Sequence, residues 1–352
     1  MKSILVLGVA LCLAACGSGP DTYKKAGTFD FASFPDTKTL QGKALPIRDL
    51  ANPVQLLVRD SLLLVADRNT DFLLSVYDVS TGRRKGEFLP RGKGPEEALH
   101  IRHIADRGDA FWVNDFPQRK IYTYRFSGLD SMENLRPDVV IAPAESPDDV
   151  FRLKDGVWLG RTDESPDPDS GNCRLLVFDE SGRVLHRFAP CPDGGPAVDR
   201  LALYRAYEFR PVPKSDDGSR IALFHKTTDL IELYDAEGRL LKRLHGPECF
   251  FPAVTLREQD GMARPSFVRG EARQAYMNPV ERDGKLWVSY SGAPMEEYDS
   301  FRRLLVFDWD LNPVALYTLP ESVLAFDVDP SRRVLYTLTL RDREPVIMAY
   351  PY

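Results

Sequence analysis

Short apolar runs recur along the whole chain with turn-forming residues between them. Six of them read as one strand of a repeating unit: Leu62-Leu63-Leu64-Val65, Phe111-Trp112-Val113, Val157-Trp158-Leu159, Ile221-Ala222-Leu223-Phe224, Leu286-Trp287-Val288 and Val334-Leu335-Tyr336. Each follows a polar turn such as Arg59-Asp60-Ser61, Lys154-Asp155-Gly156 or Asp283-Gly284-Lys285. Asp and Gly supply the positive φ that tight hairpins require. A second apolar run follows each strand and ends in an aromatic, at Tyr77, Tyr124, Phe178, Tyr234, Phe307 and Tyr350. These aromatics stand 47, 54, 56, 73 and 43 residues apart. A loose period of about 40–50 residues, each with several strands, is the signature of propeller blades. No convincing amphipathic helix interrupts. The pattern predicts an all-β fold, a six-bladed β-propeller of four-stranded antiparallel blades.

The two ends support that count. The last repeat offers three strand-like segments, residues 323–328, 334–338 and 345–350, before the chain stops at Tyr352. A spare segment lies near the N-terminus, around Thr39 to Leu45. An N-terminal strand joining the last blade would complete it and remove open strand edges. A pair of β-sandwiches would explain the strands but not the missing strand at one end and the spare one at the other.

The first residues read as an export signal. Lys2 gives a positive start, Ile4 to Leu13 an apolar stretch, and Leu13-Ala14-Ala15-Cys16 a small-residue cleavage site. The stretch is shorter than the about 20 residues a membrane span needs. Leu-Ala-Ala-Cys resembles the bacterial lipobox, which implies cleavage before Cys16 and lipidation of its thiol. Acyl chains contribute about 0.8 kcal/mol per buried CH₂, so several of them hold a soluble domain on a membrane. Gly17, not Asp, follows the cysteine; by resemblance to lipoprotein sorting this implies the outer membrane. The expected domains are a signal peptide at 1–15, the lipidated Cys16 and a polar tether at 16–37, and the propeller at 38–352.

The whole chain carries 46 basic and 52 acidic residues, a net charge of −6, and loss of Lys2 brings it to −7. Such a balance gives no support to nucleic-acid binding. Of the cysteines beyond the leader and Cys16, Cys173 and Cys191 stand nearly symmetrically about Gly182, the tip of an expected hairpin. A disulfide between them is open, since a register offset would separate the pair. Cys249 is left over.

The runs Tyr290-Ser291-Gly292, Leu305-Val306-Phe307-Asp308-Trp309-Asp310 and Ala325-Phe326-Asp327-Val328-Asp329 resemble the TolB-like six-bladed propeller lipoproteins. Arg91-Gly92-Lys93-Gly94-Pro95-Glu96 is similar to that family's Gly-x-Gly-Pro-Gly-Glu loop, with Glu96-Glu97 where the last Gly and Glu would stand. The resemblance implies a fold and lends no activity or catalytic residue.

Loop length points to one rim of the ring. Connections from Arg161 to Asn172, Cys191 to Arg205, Gly246 to Tyr276 and Gly292 to Phe301 are long and fall on one face, and long loops on a rigid scaffold are where binding usually sits. Candidate ligand residues on that face are Asp67, Arg68, Arg91, Lys93, Asp115, Arg161, Asp163, His225 and Tyr290. In the 246–276 insertion Arg257, Arg264, Arg269 and Arg273 alternate with Phe250, Phe251 and Phe267, a composition suited to a glycan or anion or to anchoring the loop. His100 and His103 lack a third ligand at metal spacing, and no Gly-x-Ser-x-Gly, His-Glu-x-x-His or phosphate loop appears. No cofactor or metal is therefore expected. The leading expectation is a non-enzymatic binding or scaffolding lipoprotein of the cell envelope, with the membrane and a glycan or protein as partners. The rival is a glycan-directed hydrolase, lyase or lactonase, which needs carboxylates such as Asp67, Asp115 and Asp163 to converge at the channel mouth.

Overall fold

Six antiparallel sheets follow one another around a ring in a computed structural model that describes residues 21–352 apart from 131, 133, 134, 146, 163–172, 193–199, 260 and 298. The blades span residues 53–90, 101–141, 150–190, 209–245, 276–318 and 325–351. In each, the chain starts on the axis and steps outward strand by strand. The inner strands are Pro53–Arg59, Ile101–Arg107, Val150–Lys154, Phe209–Pro213, Tyr276–Arg282 and Ala325–Asp329.

The core lies between the blades. Leu64, Phe88, Phe111 and Tyr124 pack blade 1 on blade 2, and Trp112, Trp158 and Phe178 help to pack blades 2 to 4. Sheets covered on both faces explain why the second strands read as continuous apolar runs. Single polar side chains also tie inner strands together. Gln55 accepts the Ile104 amide at 2.8 Å, and Asp327 accepts the Val58 amide at 2.7 Å. The Trp112 indole donates to the Val150 carbonyl at 2.8 Å.

The last blade has three strands of its own, and Lys43–Ala44 supplies the fourth, antiparallel to Glu344–Pro351. The expected closure is present. Ordered structure begins earlier than the tether expected at 16–37 allows. Gly27–Thr28 runs parallel to the outer strand of blade 4, and Asp36–Thr39 parallel to that of blade 5. The N-terminal segment thus straps blades 4, 5 and 6 in succession. Phe29 and Phe34 pin it by edge-on contact with Phe307, at 5.3 and 5.5 Å between ring centres. Phe34→Ala is expected to cost about 3–5 kcal/mol, the range for emptying a buried phenylalanine site, measured by urea unfolding.

Two connections carry further structure. Arg200–Ala206 forms a short helix between blades 3 and 4, and Val254–Gln259 pairs with Met262–Phe267 as a hairpin between blades 4 and 5. Cys173 pairs in register with Pro190, not Cys191, and no bond joins the two cysteine sulfurs. A one-residue offset turns the neighbouring side chain to the other face of the sheet.

Candidate functional site

The residues expected on the long-loop face divide into surface groups and buried braces. Asp67 accepts the amides of Ala51, Asn52 and Asn69 at 2.9–3.0 Å. Asp115 accepts the Leu99 amide and the Gln118 side chain, each at 2.8 Å. Both carboxylates point into their own connecting loops and do not converge. Asp163 and Cys16 lie outside the described residues.

Gln118 also donates to the carbonyls of Gly92 and Glu97, so Asp115 and Gln118 together hold the loop that displays Arg91 and Lys93. Glu97, which stands at the motif's closing Glu one residue after the Glu96 that replaces its Gly, folds back and accepts the Gly94 amide at 2.8 Å. A Cβ at Gly92 would meet that carboxylate at 1.9 Å, so a larger residue there would push the Glu97 side chain out of its place in the loop. Arg91 and Lys93 remain exposed, and the Arg91 guanidinium donates to the Arg68 and Thr70 carbonyls.

Arg161, His225 and Tyr290 are buried. Arg161 pairs with Asp148 and Asp149, and Arg102 and Arg210 join the same two carboxylates. His225 accepts from Arg174 through Nε2 at 2.9 Å and donates from Nδ1 to the Leu230 carbonyl at 2.9 Å. That pattern requires a neutral ring, and burial pushes its pKa down to about 3. Burial also pushes the Tyr290 hydroxyl well above its usual range. In the insertion, Arg273 lies over Phe250 at 4.6 Å and Arg205 over Phe267 at 5.0 Å. Phe250 packs into the core between blades 4 and 5, and Phe267 ties the hairpin to the helix Arg200–Ala206.

The axis offers a different constellation. Inner strands expose alternate side chains to the channel, and a charged residue recurs near the end of several: Asp106, Arg152, Arg282 and Asp327. Arg282 of blade 5 forms two parallel bonds to Asp327 of blade 6, at 2.8 and 2.9 Å. It also reaches Asp106 of blade 2, on the opposite side of the ring, at 3.0 Å. This crosspiece separates an inner chamber, bordered by Gln55, His103, Arg210 and Phe326, from an outer mouth. The mouth is a cavity of about 500 Å³ on the face of the short turns.

Acidic groups dominate the mouth. Asp60, Asp106, Glu281, Asp283 and Asp329 line it together with Ser215 and Ser331. Of its three arginines, Arg282 is held by the two carboxylates and Arg107 by the Leu153 and Asp216 carbonyls, while the half-exposed Arg59 lies 3.9 Å from Asp60 and over the Phe126 ring. Burial raises the Glu281 carboxyl above its usual range, opposed by Ser215 and Arg282. The sequence reading missed this set because it followed the second and third strands of each blade. The available signal was a lone charge inside an apolar inner strand, as in Ala325-Phe326-Asp327-Val328. No cluster of three or more His, Cys, Asp or Glu side chains suited to a metal ion occurs among the described residues.

The sequence family described as TolB-like 6-blade propeller-like matches residues 30–331. The chain belongs to that family. No curated protein matches it. Among solved structures, a member of the DUF4221 family from Bacteroides vulgatus superposes with a TM-score of 0.54 at 11% identity, covering 89% of this chain and 98% of its own. A protein from Bacteroides fragilis described as exported gives 0.51 at 11% identity, covering 90% and 98%. At this identity the likeness shows the fold alone. No helix among the described residues is long and apolar enough to cross a membrane.

Proposed function

We propose that this chain is an outer-membrane, lipid-anchored binding protein that takes a glycan at the short-turn mouth of its channel. The observation that carries the reading is the acceptor-rich mouth of about 500 Å³, where five carboxylates face three arginines and the central one, Arg282, is already engaged by Asp106 and Asp327. Carboxylates and serines accept and exchange hydrogen bonds with sugar hydroxyls, whereas an anionic ligand would meet uncompensated negative charge. The Leu13-Ala14-Ala15-Cys16 signal supports the anchor, and the export description of the Bacteroides fragilis protein fits an envelope location. The short-turn mouth replaces the long-loop rim as the ligand face, because the buried candidates on that rim brace loops and blades.

The enzymatic reading draws on one observation, a carboxyl raised by burial, Glu281, beside Asp106 in an open cavity. Asp106 and Asp327 are both held by Arg282, and Glu281 accepts the Gly284 amide of its own turn at 2.9 Å. The carboxylates are therefore occupied, which favours binding without turnover. A thermal-shift screen of the soluble chain from Gly17 against glycans, with product analysis, separates the two readings. A ligand at about 100 times its Kd is expected to add about 2.7 kcal/mol of stability with no product. Product formation would replace the binding reading with the enzymatic one, and a silent glycan panel would overturn both.

A further inference from the structure

The interface between blades 2 and 3 holds a second cavity, about 230 Å³, opening toward the short turns beside the channel mouth. Arg107 and Arg152 wall it on one side and the channel on the other. Three of its lining residues carry a buried polar atom with no hydrogen-bond partner among the described residues: Thr123 Oγ1, Trp158 Nε1 and Arg152 Nε. Thr123 and Trp158 are 8% and 2% exposed.

Strand register explains the convergence. Arg152 lies opposite Trp158 within blade 3, and Thr123 lies opposite Trp112 within blade 2. Trp112 then meets Trp158 edge-on across the interface, with ring centres 5.3 Å apart. The two tryptophans differ in one respect. Trp112 donates to the Val150 carbonyl, while Trp158 has no such acceptor. Buried donors are ordinarily satisfied, so three orphans bordering one cavity mark a place for an acceptor.

We propose that this cleft binds a small ligand through its carboxylate group. Two N–H donors and a hydroxyl match a carboxylate, whose two oxygens accept from several directions. Arg152 adds positive charge, since its partner, Asp155, is fully exposed and screened by water. Asp109 and Glu180 lie on the turns that border the entrance, where Arg125 is already paired with Asp138 at 3.2 Å. A ligand whose far end is an ammonium group would meet both ends of the cleft with opposite charge. The chemical class is thus a small amino acid or ω-amino acid, distinct from the glycan assigned to the mouth.

The test observes the indole N–H signals of the mature chain carrying Cys16→Ser. Four tryptophans give four signals, and Trp158→Phe identifies the relevant one. Titration with γ-aminobutyrate and with lysine is expected to shift the Trp158 N–H and to saturate. γ-Aminobutyramide and butylamine, which lack the carboxylate, are expected to leave it in place. Thr123→Val, which preserves shape, should weaken binding about tenfold through loss of one hydrogen bond to a charged group, as should Arg152→Gln. Asp329→Asn, in the mouth, should leave this affinity unchanged. A Trp158 signal unmoved at ~10 mM carboxylate, where even millimolar affinity would show, overturns the proposal and leaves water as the occupant. An equal response to the amine controls, or one indifferent to Thr123→Val, overturns it as well. None of these outcomes depends on whether a glycan binds at the mouth.

Discussion

Replacing Arg282 with methionine is expected to destabilise the ring by about 3–5 kcal/mol, the cost of leaving a buried carboxylate without its partner. Asp327 is 1% exposed and has no other cation in direct contact among the described residues, while Asp106 is about 10% exposed. Burial already raises the Asp327 carboxyl, and Arg282 is what opposes that most. Without the guanidinium, Asp327 should protonate on folding and the three blades that Arg282 joins should lose their shared contact. Replacing Asp106 and Asp327 by leucine in the same chain should restore part of the loss, because a buried ion pair stabilises little more than a well-packed apolar substitute. Recovery should be incomplete, since Asp327 also holds the Val58 amide. Urea unfolding measures both variants. A change below about 1 kcal/mol for the single substitution, the size of an exposed pair, would show that the crosspiece does not hold the ring.

Acid is expected to loosen the fold from pH 6.5 downward, earlier than carboxylate chemistry alone would produce. Burial holds the His103 ring down to about 4 and the His225 ring down to about 3. The unfolded chain protonates both near their ordinary value of 6.5, while the folded chain refuses the proton until the depressed values are reached. Between those limits the unfolded state binds more protons, so stability rises with pH and is lost as pH falls. Each ring contributes about 1–2 kcal/mol of loss between pH 6.5 and 5, about 3 kcal/mol together. Glu208 adds to the loss only below about pH 4.5: burial, the largest single influence, would raise its carboxyl, but Lys226, Arg161 and Arg205 together outweigh it and bring it to about 2. Unfolding curves across this range test the claim. His103→Gln should halve the slope between pH 6.5 and 5, and a flat profile in the native chain would contradict the assignment.

Much of the ring was legible in the sequence because its strands bury both faces. Leu62-Leu63-Leu64-Val65 and Leu286-Trp287-Val288 are apolar without interruption, and the turns before them carry the Asp and Gly that hairpins need. The closing strand at Lys43–Ala44 was legible by elimination, from the strand missing at the other end. The straps Gly27–Thr28 and Asp36–Thr39 were not. They are short and mostly exposed, and they join their blades by backbone pairing that leaves no apolar pattern. The same holds for the hairpin 254–267, whose residues are mostly exposed and read as an irregular insertion.

The site was legible in part. Charged residues at strand ends, such as Asp67, Asp115 and Arg161, look like ligand groups when only their loops are known. Their partners are backbone amides and buried carboxylates, which no residue pattern reveals. Asp106, Arg282 and Asp327 belong to three different blades, so only closure of the ring brings them together.

Hydrogen–deuterium exchange of the soluble chain, with and without the best glycan from the screen, tests the central claim most directly. Binding at the mouth predicts slower exchange in residues 106–108, 281–283 and 328–331, which line the cavity on the short-turn face. Protection confined to residues 246–276 and 292–301, on the long-loop face, would contradict it.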